Sequence, residues 1–192
     1  TSGGAGGTGG STETTTRTGP SYCETAMLPE RAWSDGPYRP HRNEIADDFT
    51  LDLVDGTSWT FKTQWSGCES YLFLPDTLRV SDLDKTTIWA KDMAALLKAS
   101  PENVHYFFVS RASSDEIQTA NIDALSTNMA TALGNLPASV AEHWKARLHV
   151  VAKRAANLEG WIKDELSGIG KGGFAIDRCE RVRGIGHLAD VK

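Results

Sequence analysis

Cysteine is scarce in this chain: three residues in 192, an odd number, at Cys23, Cys68 and Cys179. No Cys-x-x-Cys pair exists, so the resolving thiol that a disulfide-exchange centre needs is missing. Long apolar runs are also absent, and none approaches the ~18 residues needed to span a bilayer. Charge of either sign is never concentrated in a long block. Twenty basic residues stand against 25 acidic ones, for a net charge of −5, which argues against nucleic acid or an anionic membrane surface as a partner. The five histidines, His41, His105, His143, His149 and His187, show no metal-like spacing. His143 and His149 are six apart and do not share a face, and His105 reads as a packed or edge residue. No Ser-His-Asp or paired-carboxylate signature is present. Gly168-Ile169-Gly170-Lys171-Gly172-Gly173 lacks the Walker spacing and precedes a strand, so it reads as a loop. The six tryptophans have no common spacing and read as core and surface anchors. No cofactor is expected.

With 40% hydrophobic residues, the chain has material for one core of ordinary size. Residues 1–20 carry no apolar side chain larger than Ala5 and bury too little to offset backbone ordering. They are expected to form a flexible or partner-held Gly/Ser/Thr-rich tail. A tract of this kind commonly follows a secretory signal or a lipid-anchored cysteine, so a lipid anchor upstream of Thr1 is one expectation, and an extracellular, cell-surface or periplasmic location another. A neighbouring subunit is the natural holder for such a tail, through strand addition to an exposed edge. Residues 21–45, with Pro29, Gly36, Pro37 and Pro40, read as an irregular arm, and residues 46–192 as the folded domain.

Within that domain the pattern alternates strands and helices. Phe49 to Val54 and Trp59 to Phe61 alternate apolar and polar residues around Asp55-Gly56, a β-hairpin. Tyr71 to Leu74 and Val104 to Val109 are buried strands, with a helix between them ending near Ser100-Pro101. Ser113-Ser114-Asp115-Glu116 caps a helix that runs to Gly134-Asn135. A further helix follows from Ala138, then an edge strand at Leu148 to Val151, and a last helix from Leu158 to Leu166. Phe174 to Asp177 and Val182 to Ile185 form a closing hairpin. This order predicts an α/β fold with a mixed sheet.

Trp65-Ser66-Gly67-Cys68-Glu69-Ser70-Tyr71 imitates a W-x-x-C-x-x-C redox centre, with Tyr71 in place of the second cysteine. Together with Asp48-Phe49-Thr50-Leu51-Asp52-Leu53-Val54-Asp55-Gly56 and Phe174-Ala175-Ile176-Asp177-Arg178, it resembles the thioredoxin-like superfamily. The nearest group is the redoxins of the alkyl hydroperoxide reductase/thiol-specific antioxidant type. The resemblance covers about residues 46–188 and implies a thioredoxin-like mixed sheet flanked by helices. It also implies that the redox motif should follow the central strand, where this chain has Pro75-Asp76-Thr77-Leu78-Arg79, and that a cis-proline should stand near Lys171. Neither the cysteine nor the proline is there.

On the implied fold, Cys68 lies before the central strand and Cys179 after its antiparallel neighbour, at one pole, which leads to a Cys68–Cys179 disulfide as the expectation. Cys23 is then free, intermolecular, or the true partner of Cys68. Asp76, Thr77, Arg79 and Lys171 mark a vestigial active-site pole able to hold a small polar ligand. The functional expectation is a catalytically silent, secreted or surface-attached structural or interaction module, associating with protein partners or with itself through the tail. The alternatives are a single-cysteine thiol oxidoreductase using Cys68 or Cys179, or an accessory domain of a larger secreted hydrolase.

Overall fold

The computed structural model describes residues 22–76, 89, 93–167 and 172–184. The tail, Thr77, Arg79 and Lys171 lie outside them. The described chain begins with a short helix, α1 (Tyr22–Thr25), followed by an irregular arm. The first hairpin is β1 (Thr50–Asp52) and β2 (Ser58–Thr60), paired antiparallel with Leu51 opposite Trp59. Its turn is closed by Asp55, whose Oδ1 accepts from both the backbone N–H and the hydroxyl of Thr57. A single turn, α2 (Phe61–Gln64), leads to β3 (Ser70–Pro75). Then come α3 (Met93–Ala99), β4 (Val104–Val109), α4 (Asp115–Gly134), α5 (Ala138–Lys145), β5 (Leu148–Val150), α6 (Gly160–Ser167), β6 (Phe174–Ile176) and β7 (Val182–Gly184).

Five strands form one mixed sheet in the order β5-β4-β3-β6-β7, with β3, β4 and β5 parallel and β6 and β7 antiparallel to their neighbours. The expected mixed sheet flanked by helices is therefore present. Its two central strands are buried on both faces, which is why Tyr71-Leu72-Phe73-Leu74 and Val104 to Val109 read as continuous apolar runs. Alternation sorts their side chains. Tyr71, Phe73 and Phe107 face one core with Trp59, Phe61, Ile162, Leu166, Phe174 and Ile176; Leu74, Tyr106 and Phe108 face the other with Trp89, Met93, Leu97, Leu125 and Trp144. The first face lies under the hairpin, arm and α6, the second under α3, α4 and α5.

The capping signals act where the sequence places them. Ser114 Oγ accepts from Ile117 N at 3.3 Å, and the N–H of Asn135 closes the last turn of α4. Among the described residues, no helix is long and apolar enough to cross a membrane.

Candidate functional site

Parallel strands give the sheet two poles. At the carboxyl pole, where the resemblance implies redox chemistry, β3 runs into Asp76, which is 3% exposed. Its carboxylate accepts from Ser110 Oγ at 2.6 Å, from the backbone N–H of Arg111 at 2.5 Å and from Asn121 Nδ2 at 2.6 Å. Burial pushes the Asp76 carboxyl above its usual range, against the pull of those three donors. Arg111 Nε donates to the Leu166 carbonyl at 2.7 Å, so the same loop after β4 fastens α6. Asn121 looks like a polar intrusion on the inner face of α4; it is there to reach Asp76. Among the described residues, this pole is a polar knot around Asp76. Of the four residues expected there, the structure places Asp76; the other three fall outside the described residues.

The amino pole holds Cys68, just before β3 as the resemblance implied, but its partner differs from the expectation. Cys68 is bonded to Cys23 on α1, with Cα atoms 5.4 Å apart, and Cys179 is a free, exposed thiol in the β6–β7 turn. The arm explains the correction. Arg31 N donates to the Ser66 carbonyl, and Arg178 Nη2 donates to the Pro29 carbonyl. Residues 29–31 thus run between Cys68 and the turn that carries Cys179. Trp65 belongs to the same fastening, its Nε1 donating to the Arg31 carbonyl at 2.9 Å. Gly67 is required by it: with φ +70°, a Cβ there would meet the Arg31 backbone at 2.5 Å. The W-x-x-C imitation is therefore a clasp for the arm, and both cysteines are almost wholly buried.

Next to the clasp lies a cluster that sequence reasoning passed over. Glu69, fully buried, accepts from Ser66 Oγ on Oε2 at 3.0 Å, while Oε1 faces Arg147 Nη2 at 2.9 Å and His105 Nε2 at 3.2 Å. The other nitrogen of His105, Nδ1, is 3.0 Å from His149 Nε2. The two imidazoles are coplanar to 5°, with centroids 5.3 Å apart. That spacing is the nitrogen gap plus the two ring half-widths, as a straight in-plane N–H···N bond requires. Tyr71 lies over His105 with centroids 5.3 Å apart, and Phe107 over His149 at 4.5 Å, so both rings are held in place. His149 is a neutral imidazole, its pKa held down to about 3, first of all by burial.

A cavity of about 710 Å³ opens over this cluster, lined by the hairpin turn, Glu69 ahead of β3, the end of α5 and β5. Among the described residues, no group of three or more His, Cys, Asp or Glu side chains is arranged to hold a metal ion. The signal for the cluster was strand register: parallel β4 and β5, with Phe107 opposite His149, bring His105 and His149 onto one face. Spacing along the chain, 44 residues, gave no hint. The chain matches no protein-family model and no curated protein.

Proposed function

We propose that this chain is a thioredoxin-like domain silent in thiol–disulfide chemistry, serving as a structural or interaction module in an oxidising compartment outside the cytoplasm. The observation that carries the reading is the position of the thiols. No cysteine lies between Cys68 and Cys179, so the carboxyl pole after β3 has none to offer, and Asp76 closes that position with three hydrogen bonds. Cys23 and Cys68 form a buried disulfide at the other pole, out of reach of an attacking thiolate. A buried disulfide joining an arm to a core is what an oxidising compartment permits. Protein partners, or further copies of the chain, are the expected ligands of such a module.

Thiol counting tests it. One thiol per chain should react with maleimide in the native protein, and three after unfolding and reduction. Insulin-disulfide reduction and peroxide consumption should stay at the protein-free rate. Turnover that disappears on Cys179→Ser would instead support the second reading, a single-cysteine oxidoreductase, which the exposure of that free thiol keeps in play.

A further inference from the structure

We propose that Glu69, His105 and His149 form a proton relay serving a hydrolytic site in the cavity beside β5, with small uncharged acyl esters as the substrate class. This goes beyond the redox-silent reading and stands independently of it.

The geometry begins at a buried carboxylate. Glu69 Oε1 lies 3.2 Å from His105 Nε2, an ion-pair distance at which a carboxylate's negative charge favours a proton on that nitrogen. The remaining nitrogen, Nδ1, then shares one proton with His149 Nε2 across 3.0 Å. Among the described residues, His149 Nδ1 has no hydrogen-bond partner and is not a buried atom, and His149 lines the cavity. One end of the chain of groups is thus anchored in the core, and the other is open to whatever occupies the cavity. Aromatic packing fixes the rings between them. A base oriented by a second group that is oriented by a carboxylate is the arrangement general-base catalysis needs.

The charges on the walls select the substrate. Arg147 is paired with Glu69 at 2.9 Å and Lys145 with Glu142 at 2.6 Å, while Asp55 accepts from Thr57. Both cations on the described lining are thus already matched by a carboxylate, the wall has no spare positive charge with which to recruit an anion, and the cavity volume of about 710 Å³ suits a small molecule.

The step balances without any further reagent. A water O–H bond breaks as its oxygen bonds to the acyl carbon, and the proton goes to His149 Nδ1. The proton on Nε2 moves to His105 Nδ1, leaving the positive charge on His105 beside the Glu69 carboxylate. Collapse of the tetrahedral intermediate releases the alkoxide, which takes the proton back along the same path to give acid and alcohol. His149 is the base; His105 and Glu69 are positioning residues.

The test uses p-nitrophenyl acetate and the full chain. Saturable hydrolysis is expected, slower in D2O, with kcat/KM falling about 100-fold or more in His149→Gln. Glu69→Gln and His105→Asn should lower kcat more than they raise KM and displace the acid limb of the pH–rate profile. That limb reflects loss of the base form, in the field of Asp55, Arg147 and Lys145 together. His143→Gln, on α5 outside the cavity lining, should leave the rate unchanged. His149 stands partly open on the cavity wall, so H149Q decides the matter even if E69Q loses its fold. Hydrolysis that does not saturate and is no faster than with equimolar imidazole, or full activity in H149Q, overturns the proposal.

Discussion

Asp76 shows how a single residue can tie three elements together at one end of a sheet. Its carboxylate answers three donors, one of them a backbone N–H. Asp76→Ala leaves Ser110, Arg111 N and Asn121 without an acceptor in a dry environment, and should cost about 3 kcal/mol or more in urea denaturation. The pH dependence has a definite sign. Because burial raises the folded-state pKa of Asp76 above 3.8, its contribution is complete below that value and declines as pH rises through the folded pKa. The stability difference between wild type and Asp76→Asn should therefore be largest in acid and narrow toward neutrality. A difference that widens from pH 4 to 7 contradicts the assignment. Asp76 could be singled out from the sequence because the resemblance marked its position. His105 and His149 could not, since what joins them is the register of two neighbouring strands that α4 and α5 separate in sequence.

At the scale of elements, patterns that depend on nearest neighbours were legible. Both hairpins, the two buried strands and the capped α4 follow from alternation, turn residues and an N-cap, all local signals. The arm is different: its path is set by contacts far away in sequence, through the Cys23–Cys68 bond, the Trp65 indole and Glu180. That last residue, buried in the β6–β7 turn, accepts from Ser34 N at 2.8 Å. Such contacts leave no periodic trace, so the cysteine pairing was open until the arm was placed. The clasp spans 45 residues, and a crosslink of that length contributes about 4 kcal/mol in the chain-entropy model. The double substitution Cys23→Ser/Cys68→Ser should lower stability by an amount of that order. It should also make residues 26–48 the first site of limited proteolysis, with β4 still protected. Unchanged proteolysis of the arm would show that Trp65 and Glu180 hold it without the disulfide.

For the molecule as a whole, the arm and hairpin matter because they sit on both edges of the sheet. At the β7 edge, Asn43 N donates to the Val182 carbonyl and Val182 N donates to Glu44, with Ile45 bridged to Arg181. At the β5 edge, Val54 N donates to Val150 and Ala152 N to Asp52, with Leu53 bridged to Val151. Val150 O and both backbone groups of Val182, which a tail from another copy would need, are taken by the chain itself, which is one way a sheet guards its edges. Strand addition is thus a poor mode for the self-association expected from the tail, and a partner should dock on side chains instead. Hydrogen exchange separates the two. Amides of Leu148–Val150 and Val182–Gly184 should exchange at rates independent of protein concentration, even where sedimentation shows association. Slower exchange there on concentration would mean that another strand has paired with the edge. The arm or the hairpin turn must then have given way, because each already occupies the hydrogen bonds the incoming strand would use.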